Sequence, residues 1–192
     1  MRGLLAGIVA MGLVAMPACA AAATPEVRAA TALGRGVDDV KLIDDSGRTI
    51  AWKDLNGRPR AVFFGFTHCP VICPVTVYEL DAALDKIGKS ADRLQVVFVT
   101  LDPARDTPKA MKEYFSGFKG RVRALTGSQA AIDRVAKAFE VEHERVPLKG
   151  KDYTLDHTAA VFLVNAAGEV VDTVAYGAAP DVLVDRLKGV LK

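Results

Sequence analysis

The chain has 192 residues, enough for one domain of ordinary size and a leader. Its 51% hydrophobic and 25% charged residues form a globular composition, which excludes a disordered chain. The formal charge is +2 and falls to +1 without Arg2, so neither the basic balance of a nucleic-acid binder nor an acidic surface is present.

Residues 1–23 read as a targeting segment. Arg2 is the charged start, Gly3 to Ala15 the apolar stretch, and Pro17-Ala18-Cys19-Ala20-Ala21-Ala22 offers small-x-small cleavage sites. Three outcomes stay open: a cleaved signal, a retained anchor, and a lipoprotein acylated at Cys19. Each places the following domain outside the cytoplasm, where a dithiol oxidises unless it is kept reduced or metallated. Residues 24–36 read as a linker and 37–192 as the domain.

Val40-Lys41-Leu42-Ile43 and Thr49-Ile50-Ala51-Trp52 flank the polar turn Asp44-Asp45-Ser46-Gly47, a hairpin signature. Arg60 to Phe66 is an apolar strand. It breaks at Thr67-His68-Cys69-Pro70-Val71-Ile72-Cys73 and restarts at Pro74 as a helix to Gly88, with Val77, Leu80, Leu84 and Ile87 at helical spacing. Pro74 suits a first turn, where a missing N–H costs nothing. Leu94 to Leu101 is a nearly unbroken apolar run, the pattern of a buried parallel strand. Thr107 and Pro108 mark the cap and first residue of a helix reaching Phe118. Val122 to Leu125 is a short strand, and Ser128 caps a helix to about Glu140. Val141 to Pro147 gives no clear signal, and Leu148 to Asp156 reads as a polar loop. Thr158–Asn165 and Glu169–Ala175 form a hairpin around Ala166-Ala167-Gly168, and Asp181 to Leu191 closes the chain as a helix.

Strands alternating with helices and finished by an antiparallel pair predict an α/β, thioredoxin-like fold with an N-terminal β-hairpin and an inserted helix and short strand. Sites in such sheets lie beyond the carboxyl ends of the parallel strands. Cys69 and Cys73 follow one such strand and Asp102 follows another. His157 precedes an antiparallel strand, so it belongs at the same edge.

Four segments resemble the Sco/SenC family of copper-binding proteins. They are Thr67-His68-Cys69-Pro70-Val71-Ile72-Cys73-Pro74, Leu101-Asp102-Pro103-Ala104-Arg105-Asp106-Thr107-Pro108, Leu125-Thr126-Gly127-Ser128 and Asp152-Tyr153-Thr154-Leu155-Asp156-His157-Thr158. They occur in the family's order and span most of the chain after Gly36. The resemblance implies a thioredoxin-like protein that serves in assembly of the CuA centre of cytochrome c oxidase. It implies one copper ion, Cu(I) or Cu(II), held by Cys69, Cys73 and His157. It also implies a copper recipient, oxidase subunit II or another protein, with a thiol reductant or a second chaperone as further partner. The expected setting is the periplasm, with membrane association through the N-terminus. The family often carries tyrosines between Val141 and Pro147. This chain has Val141-Glu142-His143-Glu144-Arg145, a more charged surface beside the His157 loop.

The residues themselves suit this chemistry. Cysteines at i and i+4 lie about 6 Å apart at Cα on a helical turn, close enough to bridge or to clamp one soft ion. Two thiolates bind Cu(I), and an added imidazole suits Cu(II) as well. Cys73, at a helix start, is expected to gain thiolate character from the helix dipole. Other readings are a structural disulfide, an open zinc site, a thiol peroxidase, and a thiol–disulfide reductase acting on the recipient's cysteines through Cys69 or Cys73. The i, i+4 spacing departs from the Cys-x-x-Cys of dedicated oxidoreductases. The resemblance puts a metallochaperone first, with thiol–disulfide reductase activity as the alternative or companion role. Asp156 is a candidate to steady the imidazole. Asp102, Arg105 and Asp106 either brace their loop or form a docking surface. His68 and His143 read as surface residues.

Overall fold

The structure is a computed structural model that describes residues 33–192, except Val71 and Lys151. The targeting segment and Cys19 lie outside the described residues. A seven-stranded sheet carries the fold, in the order β2-β1-β5-β4-β3-β8-β9. Its strands are β1 (Lys41–Asp44), β2 (Thr49–Ala51), β3 (Arg60–Gly65), β4 (Gln95–Thr100), β5 (Val122–Thr126), β8 (Ala160–Val164) and β9 (Val170–Ala175). The helices are α1 (Ile72–Ile87), α2 (Pro108–Tyr114), α3 (Gln129–Ala138) and α4 (Pro180–Val190).

The centre is parallel, β5-β4-β3, as the apolar runs predict. Antiparallel pairing extends beyond the two hairpins expected, to β1 with β5 and β3 with β8. The N-terminal hairpin docks onto β5, with Ile43 opposite Thr126, and covers an edge that would otherwise expose unpaired backbone groups. On the other side β8 runs antiparallel to β3.

Strand alternation divides the core into two layers. Val62 and Phe64 of β3 face α3 in a cluster with Trp52, Ile132, Phe139 and Phe162. Ala61 and Phe63 face α1, α2 and α4, among Leu80, Phe98, Phe115 and Leu187. Phe139 meets Trp52, Phe64 and Phe162 at centroid distances of 5.4, 5.4 and 5.2 Å. Each such ring contributes about 2–3 kcal/mol by burial. Buried polar side chains interrupt this apolar packing, Arg60 the largest of them. Arg60 donates to the Leu55 carbonyl at 2.9 Å and to Asn56 Oδ1 at 3.1 Å, and burial draws its pKa down to about 10.

The caps follow the sequence. Thr107 accepts from Ala110 N and Ser128 from Ala131 N, each at 3.2 Å. Helix α2 stops at Tyr114 rather than Phe118, with Phe115 turning into the core as its C-cap. The larger correction concerns residues 141–157. They form a second sheet of two strands, β6 (His143–Pro147) and β7 (Tyr153–His157), instead of an unassigned stretch and a polar loop. Only Leu155 of these ten positions is buried, so the apolar alternation that marks a strand is almost absent from the sequence.

Candidate metal centre

The site lies where the carboxyl ends of β3 and β4 open onto loops. After β3 the chain turns at Phe66, whose carbonyl accepts the Cys69 N–H at 3.1 Å. Helix α1 starts at Ile72, two residues earlier than Pro74, which places Cys73 in its first turn and Cys69 just before it. The Cys73 N–H donates to Cys69 Sγ at 3.5 Å. Both thiols are buried, Cys69 at 8% and Cys73 at 2% exposure, so Cys69 is the outer of the two. Gly65 makes room for them: a Cβ there would collide with the Cys73 sulfur and stand 3.2 Å from Phe98.

Expected thiolate stabilisation at Cys73 is overturned. Its hydrogen bond with Cys69, its burial and the charge a second thiolate would bring push its pKa far above the usual thiol range. The N–H offered by the first turn of the helix reaches the sulfur of Cys69, not that of Cys73. The sequence reading put the helix start two residues late and did not show which sulfur faces it.

Asp106 holds the cysteine turn from below. It is fully buried and accepts from Thr67 Oγ1 at 2.6 Å, Thr67 N at 3.0 Å and Thr100 Oγ1 at 2.6 Å. Thr100 Oγ1 accepts in turn from Asp102 N at 2.9 Å. Asp102 and Asp106 are therefore buried bracing groups, and of the three loop charges only Arg105 keeps appreciable exposure.

His157 ends β7, across a cleft from Cys69. The cleft has a volume of about 300 Å³ and is walled by Phe66, Cys69, Ile72, Leu155 and His157 among others. The imidazole stands edge-on to Phe66 at 6.1 Å, and its Nδ1 lies 3.0 Å from the Thr158 carbonyl. With the proton on Nδ1, that contact leaves Nε2 as the ligating atom. Asp156 is exposed and borders the cleft, but the Thr158 carbonyl and not this carboxylate meets the imidazole. Among the described residues no three His, Cys, Asp or Glu side chains are already gathered around one ion-sized point.

The hairpin carrying His157 is tied to the loop after β4. Arg105 pairs through Nε with the Asp102 carboxylate, and its Nη1 donates to the Tyr153 carbonyl at 3.0 Å and to Asp152 at 3.2 Å. Its guanidinium lies 3.8 Å from the Tyr153 ring centroid, with Arg145 at 4.0 Å from the same centroid. The Tyr153 hydroxyl donates to Asp102 at 2.8 Å. Sequence reasoning passed over Tyr153 and Thr67. The spacing Tyr153-x-Leu155-x-His157 is the signal that could have found the first, since it alternates like a half-buried strand. His68 is exposed, with Nδ1 3.2 Å from Thr67 Oγ1. His143 is not a plain surface residue: it sits opposite His157 in the hairpin and lies 3.4 Å from Asp133.

The same arrangement of segments occurs in known proteins. An SCO2-like protein of Rickettsia felis is 33% identical over 153 residues, 79% of this chain and 75% of its own. The mitochondrial SCO1 homolog 1 of Arabidopsis thaliana is 38% identical over 125 residues, 65% of this chain but only 37% of that longer one. The solved structure of Bradyrhizobium japonicum ScoI with copper bound matches with a TM-score of 0.72 at 37% identity, covering 79% of this chain and 96% of that one. The SCO1/SenC family model matches residues 30–192, the whole described fold, and on that match this chain belongs to the SCO1/SenC family.

Proposed function

We propose that the protein is a copper chaperone that holds one copper ion through Cys69, Cys73 and His157 and delivers it to, or prepares, the CuA site of cytochrome c oxidase. The observation that carries this reading is the shared cleft, which places the outer thiol and the imidazole on facing walls with the second thiol directly behind. Two sulfurs and one nitrogen suit copper in either oxidation state. The ScoI structure with copper bound supports the choice of metal.

Within this reading each residue has a task. Cys69, at the cleft wall, meets the ion first. Cys73 must give up its thiol proton on binding, and the metal supplies the charge compensation that the buried site otherwise lacks. The neutral imidazole of His157 adds the third ligand through Nε2. Release runs by ligand exchange, an incoming thiolate or thioether of the recipient replacing one ligand at a time, with Cys69 the most accessible bond. The recipient is oxidase subunit II or another copper-binding partner. The domain works outside the cytoplasm, in the periplasm, with residues 1–23 as export signal or anchor. No helix among the described residues is long and apolar enough to cross a membrane.

A Cu(I) titration of the reduced protein against a competing chelator tests this. The expected result is one copper per chain, bound at least tenfold more weakly by His157→Ala. Equal binding by the variant removes His157 from the site. A thiol–disulfide reductase is then the better reading, with Cys69 as the attacking thiol, because it is the less buried sulfur and the one nearer the cleft.

A further inference from the structure

His157 borders a second cleft. It lines a broad depression of about 1320 Å³ together with His143, Asp133, Lys137 and the carboxylates of the strand ends, and Cys69 is not part of that lining. We infer that His143 and His157, with Asp133 beside them, form a binding site for a divalent first-row cation, Cu(II) foremost, distinct from the dithiol and sharing only His157 with it.

Register is the first argument. His143 and His157 are direct partners in the β6–β7 ladder, so both side chains leave the same face of the hairpin. Directly opposite residues hold their Cβ atoms about 5 Å apart, a span over which two imidazoles can grip one ion. This is the inward face, since Leu155 lies on it and is buried. The neighbouring Thr158 N–H donates to the Glu142 carbonyl at 2.9 Å and Glu142 N donates to Thr158 Oγ1 at 3.1 Å, which pins the strand ends at the histidine pair.

The donor atoms are the second argument. The Thr158 carbonyl holds His157 Nδ1 and leaves Nε2 available. His143 Nε2 lies 3.4 Å from Asp133 Oδ1, so one carboxylate from α3 already stands beside the imidazole of β6. Gln129 Nε2 donates to the same Asp133 oxygen at 2.8 Å and leaves Oδ2 for an ion. Asp133, Glu140, Glu142, Glu144 and Asp156 face the same depression against one Lys137, a charge balance that favours a cation. Imidazole with carboxylate selects borderline divalent ions, and copper heads the Irving–Williams order for such sites. The thiols of the smaller cleft select Cu(I) instead. The two sites therefore differ in ligand softness and cannot both use His157 at once.

The test removes the thiols of Cys69 and Cys73 and asks what remains. The full chain carrying Cys69→Ser and Cys73→Ser is titrated with Cu(II) chloride and followed by electron paramagnetic resonance. The parent chain with its two thiols joined as a disulfide serves where the double variant does not fold, because it removes the same ligands without substitution. The expected result is one Cu(II) with two-nitrogen coupling, weakened at least tenfold and reduced to one nitrogen by His143→Gln, while Glu113→Gln, an exposed carboxylate on α2 outside the depression, changes affinity by less than threefold. Equal binding by His143→Gln, or a chain without the two cleft thiols that gives no Cu(II) signal beyond that of scattered carboxylates, overturns the inference. Neither result bears on Cu(I) at the dithiol, so this site and the three-ligand site fail independently.

Discussion

The two walls of the cleft are supported in different ways. The cysteine wall grows out of the central sheet. Its turn rests on the buried carboxylate of Asp106, its helix packs on the core, and Gly65 accommodates its inner sulfur. The histidine wall is a two-stranded hairpin outside that sheet. It buries Leu155 alone among its strand residues and relies on the Arg105–Asp102–Tyr153 cluster for attachment. Two-stranded hairpins are marginal by themselves, and local opening free energies vary widely within one protein. The comparison teaches that the thiols are placed by the fold and the imidazole by a small polar latch. An ion entering the cleft then adds a tie between the two walls.

The largest effect should come from the cysteine wall. Asp106→Ala strands the Thr67 and Thr100 donors in a buried site and should cost about 3 kcal/mol of stability, read by chemical denaturation. Copper affinity should fall with it. A loss below about 1 kcal/mol would show that the turn stands without its carboxylate.

Arg105→Ala should cost about 2 kcal/mol, because it leaves the Asp102 carboxylate buried with the Tyr153 hydroxyl as its remaining side-chain partner. Its diagnostic readout is local. Amide exchange should accelerate in 143–157 while 60–66 stays protected. Uniform acceleration across both segments would contradict separate support of the two walls.

A third, smaller effect is pH-dependent. The folded protein keeps Cys73 protonated well above the ordinary thiol value of 9.0, whereas the unfolded chain ionises there. The unfolded state then binds fewer protons, so stability falls as pH rises past about 9. The stability of the reduced parent relative to Cys73→Ser should fall by about 1.4 kcal/mol per pH unit above that point. A flat difference between pH 8 and 10 would mean that the inner sulfur ionises freely.

This division also explains which parts of the molecule were legible in the sequence. The sheet, the caps at Thr107 and Ser128 and the position of the cysteine turn follow from apolar runs and local hydrogen-bonding chemistry. The edge shared by Cys69 and His157 follows from strand direction alone. The β6–β7 hairpin was not legible, because His143-Glu144-Arg145-Val146-Pro147 is polar on both faces and its pairing is decided by contacts with Tyr153 and Leu155. Asp106 looked like a loop charge because its burial arises from two threonines distant in sequence or hidden at a strand end. The protonation of Cys73 depends on the depth of a sulfur, which a helix start does not disclose.

Copper K-edge absorption of the Cu(I)-loaded protein tests the central claim most directly. The account predicts two sulfur scatterers and one nitrogen for the parent, and loss of the nitrogen with both sulfurs retained in His157→Ala. An identical ligand shell in the two proteins would contradict it, because the hairpin would then contribute nothing to the ion.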